Sequence, residues 1–189
     1  MKKIIYTIIA AFGIFGATSC ADMLETESSH FVQNPELDNK TDSIFSAFGI
    51  MQAMQQLADQ YFFQNEMRGE ISVPTAKATT HLKNLANYSA DAECKYDSVY
   101  LYYKVINNCN TYLQKRDTTL MSGTTNVTIN EYVAIAAFRA WTYLQLTKQY
   151  GDVPYLTTPV LTVSEINAKT EHTPYRTILQ DQAQYLQNL

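Results

Sequence analysis

The stretch from Asn130 to Pro154 constrains this chain more than any other. Ala134, Ile135, Phe138, Trp141 and Leu144 recur at three- and four-residue steps, which sets them on one face of an α-helix. Tyr150-Gly151-Asp152-Val153-Pro154 then stops it. Glycine takes the left-handed conformation after a last turn, and proline cannot continue a helix. At the other end Thr128 and Glu131 have capping-box spacing, with Asn130 as the alternative cap. So broad an apolar face must be buried against other helices, and the chain is expected to be mainly α.

Three further helices are expected. The first starts at Thr41 or Asp42, ends near Glu66, and carries Ile44, Phe48, Met51, Leu57 or Ala58, and Tyr61 at helical spacing. Met51 and Met54 read as gap-filling core. The second covers Tyr96 to Lys115, with Val99, Tyr103, Ile106, Asn110 and Leu113 on one face. The last has Thr173 as cap and Pro174 in its first turn, followed by Ile178, Leu179, Leu186 and Leu189. Between them lie an irregular segment, 69–92, with room for a short helix near His81–Ala86, a polar loop from Asp117 to Thr128, and an extended segment, 155–163. The final helix runs into Leu189 without a polar stop, so the chain is expected to be a fragment, or a prematurely ended version, of something longer. Consecutive helices suggest helical repeats, although the loop between the second and third is too long for the tetratricopeptide consensus.

The first residues set the compartment. Lys2 and Lys3 precede an uncharged apolar run, Ile4 to Ala17, and Ala17-Thr18-Ser19 stand directly before Cys20. This is the layout of a secretory signal peptide. The run is too short to span a bilayer, which takes roughly 20 apolar residues. A cysteine after small residues resembles a lipobox, with Ala17 where leucine is usual, so residues 1–19 are read as a leader and Cys20 as the acylated first residue. The alternative is an ordinary signal peptide with a cysteine there by chance. Residues 20–41 are polar, carry Asn34-Pro35, and read as a tether, leaving 42–189 as the helical domain.

The formal net charge is −4, and loss of Lys2 and Lys3 makes the remainder more acidic. That balance argues against nucleic acid or an anionic membrane as direct partner, since both need basic footprints. Cys94 and Cys109 are expected to be separate buried thiols, although an exported compartment would permit a disulfide. His30, His81 and His172 lack metal-ligand spacing, no Cys pair has zinc spacing, and neither a G-x-S-x-G elbow nor a phosphate loop is present. No catalytic residue, metal or cofactor is assigned. Glu66 and Glu70 are the candidate pair for glycoside hydrolysis, which needs two carboxyl groups across one bond, but Arg68 between them points to an ion pair instead.

Four blocks, in order, resemble one family. They are Glu66-Met67-Arg68-Gly69-Glu70, Leu101-Tyr102-Tyr103 running to Asn110, Phe138-Arg139-Ala140 running through Tyr150-Gly151-Asp152-Val153-Pro154, and Tyr175-Arg176-Thr177-Ile178-Leu179-Gln180-Asp181. The third is the specific one. Together they resemble the N-terminal part of the SusD/RagB family of Bacteroidetes outer-membrane lipoproteins. That family often has tryptophan where Val99 stands, and usually leucine where Gln182 stands. The resemblance implies tetratricopeptide-like helix pairs with long irregular loops. It also implies a place on the cell surface over a SusC-like TonB-dependent transporter, and capture of a glycan or peptide without catalysis. The alternative is a lipid-anchored helical scaffold that contacts only protein, its ligand binding lost by truncation.

Fourteen tyrosines suit sugar binding, because an aromatic face stacks on the apolar C–H face of a pyranose. Amphipathic core packing explains tyrosine equally well, and Tyr100, Tyr103, Tyr143 and Trp141, at core spacing on helices, are assigned to the core. Tyr88, in the irregular segment with Asn84 and Asn87, is the candidate for ligand contact. Arg139, in an apolar stretch of helix, is expected to meet a buried carboxylate or carbonyls.

Overall fold

The computed structural model describes residues 37, 40–69, 71–116 and 127–189. The leader, Cys20, Glu70, nearly all of the tether and most of the 117–128 loop lie outside these residues. Helices α1 (Lys40–Arg68), α2 (Thr80–Ala86), α3 (Val99–Lys115), α4 (Val127–Tyr150), α5 (Val163–Ala168) and α6 (Tyr175–Gln187) dominate the fold. A two-stranded ribbon joins β1 (Val153–Pro154) to β2 (His172–Thr173). It is antiparallel, with Val153 opposite Thr173 and Pro154 opposite His172.

Cross-helix bonds fix the directions. Gln60 and Gln64 of α1 reach Ser98 and Tyr102 at the start of α3, while Gln56 reaches Lys104, so α1 and α3 run antiparallel. Tyr112 meets Glu131 and Asn110 meets Arg139, which makes α3 and α4 antiparallel. Arg139 meets Gln182 and Tyr132 meets Tyr185, so α6 returns along α4 in the same manner. The result is a series of antiparallel helix pairs, as the sequence implied. The core lies between α1, α3 and α4, around Leu57, Tyr102, Ile106, Tyr112, Ile135 and Leu146.

Several local expectations are corrected. On α1 the buried line is Ser43, Ile50, Ala53, Leu57, Gln60 and Gln64, whereas Phe48 is 60 % exposed and Met51 faces solvent as well. Apolar residues occur on both sides of this helix, so periodicity alone did not select the inner face. The glutamines are tolerated inside because each is hydrogen-bonded: the Gln60 amide brackets Ser98, donating to its carbonyl and accepting from its N–H, both at 3.0 Å. On α3, Tyr102, Val105, Cys109 and Tyr112 join Ile106, Asn110 and Leu113 inside, while Val99 and Tyr103 fall at the edge. Leu37, within the expected tether, is buried beside Arg116, whose guanidinium donates to the Leu37 carbonyl.

Helix ends differ too. α4 begins at Val127, so Thr128 lies inside the helix. Glu131 Oε2 accepts from Ser43 (2.7 Å) and Tyr112 (3.4 Å), tying three helices together. Thr173 belongs to β2 and Pro174 is the N-cap of α6. Having no side-chain oxygen, Pro174 leaves that work to Asp152, whose Oδ1 accepts from Tyr175 N–H at 2.9 Å. Leu189 lies beyond the C-cap Asn188 and is 50 % exposed, outside the core stripe assigned to it. The sequence assigns no helix at α5, whose first residue ends the expected extended segment 155–163, but Thr162-x-x-Glu165 marks its start: Thr162 Oγ1 accepts from Glu165 N–H, and Glu165 Oε2 accepts from Leu161 N–H.

Candidate functional site

The residues of the most specific sequence block build a support. Gly151 has φ +74°, a conformation that strains any side-chain-bearing residue, and it turns the chain out of α4 into β1. Tyr143 is fully buried and holds Leu156 at both backbone groups, donating to its carbonyl (2.9 Å) and accepting from its N–H (2.8 Å). Tyr150 donates to Asp97 (2.7 Å), which also accepts from Gln64 and forms an ion pair with Arg68 at 3.1 Å. Asp97 is thus a carboxylate that Arg68 meets, while Glu70, of the expected trio, lies outside the described residues. Its position at the start of α3 brings it under the end of α1, a contact between residues far apart in the chain.

Arg139 is 4 % exposed. Its guanidinium donates to the amide oxygens of Asn110 (3.0 Å) and Gln182 (3.2 Å) and lies 4.5 Å from the centre of the Tyr185 ring. Gln182, where the family usually has leucine, is buried and passes the network on by donating to Tyr155 Oη, which donates to Asp181. The buried cation is therefore met by amide dipoles and a ring, with a carboxylate at one remove. Burial foremost, and then the bond to Asp181, raise the Tyr155 hydroxyl to about 12, so it stays a donor.

These groups carry a strap, residues 155–171, across α3. Tyr103 donates to the Pro154 carbonyl (2.8 Å), Asn110 to the carbonyls of Leu156 and Thr158, and Asn107 brackets Val160 through both amide atoms. Between strap and helix opens a cleft of about 730 Å³. One wall is a single face of α3, Tyr100, Tyr103, Lys104, Asn107 and Asn108; the other includes Leu156, Val160, Ile166, Lys169 and His172. The lining is mostly apolar with a few polar groups, the usual make-up of a small-ligand site. Tyr103 and Asn107 spend their polar atoms on the strap, which leaves Tyr100, Lys104 and Asn108 on α3 as the groups that face the space. A second hollow of about 580 Å³ adjoins it through Lys169 and His172.

The sequence assigned Tyr100 to the core, yet it is 68 % exposed at the cleft mouth. Its spacing with Tyr103-Lys104 and Asn107-Asn108 is the signal that was available, but the same spacing describes a core stripe. Tyr88, Asn84 and Asn87 come together at the end of α2, and none of them lines the cleft. Tyr88 stands at φ 56° with its ring largely in solvent and its hydroxyl bonded to the Arg68 carbonyl. Asn87 is the C-cap of α2, and the Asn84 carbonyl accepts from Ser89. Cys94 and Cys109 are buried and unpaired, and burial raises the Cys109 thiol to about 12. Among the described residues no group of His, Cys, Asp and Glu could hold a metal, and no helix is long and apolar enough to cross a membrane.

Antiparallel helix pairs bearing a pegged strap define a class, a mainly α fold of tetratricopeptide-like helix pairs. Residues 38–183 match a family model, SusD-like, described as "Starch-binding associating with outer membrane", and the chain belongs to this SusD-like family. A crystal structure of a SusD superfamily protein from Bacteroides thetaiotaomicron VPI-5482 has the same fold, with a TM-score of 0.60 at 18% identity. The match covers 76% of this chain and 33% of that one, so the chain spans a third of that solved protein's length. Comparison with curated proteins gives no match.

Proposed function

We propose that this chain is a lipid-anchored, cell-surface subunit of the outer membrane that captures glycan, or peptide in some settings, for a SusC-like TonB-dependent transporter. Its action is capture, with no bond made or broken. The cleft between α3 and the strap carries this reading, because it joins an exposed tyrosine ring to the Asn108 amide and the Lys104 and Lys169 ammonium groups. The family match supports the outer-membrane setting and a sugar ligand. Calorimetric titration of the full chain with maltohexaose and other oligosaccharides tests it. Tyr100→Ala is expected to weaken binding about tenfold, by loss of ring stacking worth roughly 0.5–1.5 kcal/mol. The surface of Tyr88, Asn84 and Asn87 is the second proposed contact. An effect of Tyr88→Ala with none of Tyr100→Ala would move the site there.

The anchor is proposed at Cys20. Cys20→Ala is expected to shift the chain from the membrane fraction to the soluble one, since one signal-borne lipid is then missing. Retention of the variant on the membrane would remove the lipoprotein reading.

A specific observation favours a second reading. Phe45, Phe48 and Met51 form an exposed apolar stripe on α1, suited to protein contact by a helical scaffold. Recovery of a partner protein through this stripe, with no oligosaccharide bound anywhere, would favour the scaffold.

A further inference from the structure

The cleft has a sign. Among the described residues, its ionisable lining groups besides tyrosine are Lys104, Lys169 and His172, with no Asp or Glu, although the chain as a whole is acidic at −4. The two ammonium groups come from opposite walls, Lys104 from α3 and Lys169 from the turn after α5. Each bonds a neutral oxygen: Lys104 Nζ donates to Gln56 Oε1 and Lys169 Nζ to Thr158 Oγ1, both at 2.8 Å. Glu165, a turn before Lys169, has its Oε2 on the Leu161 N–H; that bond foremost, with the Lys169 charge a lesser cause, holds its carboxyl below the usual range, and it does not line the cleft. Glu171 lines the neighbouring hollow and not this one. The two ammonium groups thus meet no carboxylate among the described lining residues, and the apolar walls focus their field into the cleft.

We propose that the cleft selects acidic oligosaccharides, chains bearing carboxylate or sulfate, over neutral glucans. This rests on the glycan-binding reading and narrows its substrate class. A hexuronate ring offers what the two walls ask for. Its C–H face lies on the ring of Tyr100 and the apolar wall, its hydroxyls meet Asn108 and Thr170, and its carboxylate meets Lys104 or Lys169. A neutral glucan would leave the two ammonium groups without a counter-charge in the cleft.

The test compares hexagalacturonate, maltohexaose and tetraglutamate on the full chain, with the double variant Lys104→Gln, Lys169→Gln. Both side chains lie at the surface, so circular dichroism is expected to report an unchanged fold. Hexagalacturonate is expected to bind more tightly than maltohexaose and to lose about tenfold in the double variant, as two partly exposed ion pairs would give. Its binding should also weaken as salt is raised, and that of maltohexaose should not. Maltohexaose binding as well as hexagalacturonate, with no effect of the double variant, would overturn the charge preference and leave glycan capture standing. Binding of neither sugar would overturn both. Binding of tetraglutamate alone would replace the acidic glycan with an acidic peptide.

Discussion

Arg139→Leu is expected to lower the unfolding free energy of the chain by about 3–5 kcal/mol, the usual cost of removing one member of a buried charged network. The guanidinium holds the amide oxygens of Asn110 and Gln182 and stacks on Tyr185. Leucine removes all three contacts and strands both amide oxygens where water does not reach. Arg139→Lys is expected to fall between the two, since an ammonium cannot supply a planar fork to two oxygens and a ring face. Urea unfolding followed by circular dichroism measures both. A loss below roughly 1 kcal/mol for the leucine variant would show that water reaches the site and that the network is marginal.

The second large effect is at Tyr143. Tyr143→Ala should cost about 3–5 kcal/mol, because a fully buried ring leaves a cavity among Leu146, Tyr155 and their neighbours. Tyr143→Phe separates the hydroxyl from the ring, and its expected cost is roughly 1–3 kcal/mol. The Leu156 carbonyl keeps Asn110 as donor, but the Leu156 N–H loses its acceptor. Leu156 lines the cleft, so this variant is also expected to bind oligosaccharide less well while retaining its helices by circular dichroism. Unchanged ligand affinity in a destabilised Tyr143→Phe would mean that the strap does not need this peg to shape the cleft.

Both variants touch the sequence block that identified the family, and they show what it encodes. Arg139, Tyr143, Tyr150 and Gly151 lock helices together and hold a strap in place. They brace the scaffold, whereas of the groups proposed to meet a ligand Tyr100 and Lys169 lie outside the four blocks and only Lys104 falls within one, the second. A signature of this kind reports the scaffold, and ligand choice is written on the surface that the scaffold presents.

The existence of every described helix but α5 was legible from the residues alone. The period of α4, its stop at Gly151 and Pro154, the span of α3 to Lys115 and the short α2 are local properties, set by side-chain spacing and backbone stereochemistry within a few turns. What sequence spacing did not reveal were contacts between distant residues. α1 turns Gln60 and Gln64 inward because Ser98, Asp97 and Tyr102 meet their amides, which leaves Phe48 outside. Gln182 replaces an apolar residue because Arg139 and Tyr155 satisfy it, and Arg68 pairs with Asp97 because α3 begins beneath α1. Tyr100 lines a cleft instead of a core because the strap passes over α3 beside it. Local periodicity determined which segments are helical. Only tertiary packing decided which faces are buried, since a polar side chain inside costs little once its partner arrives and too much before.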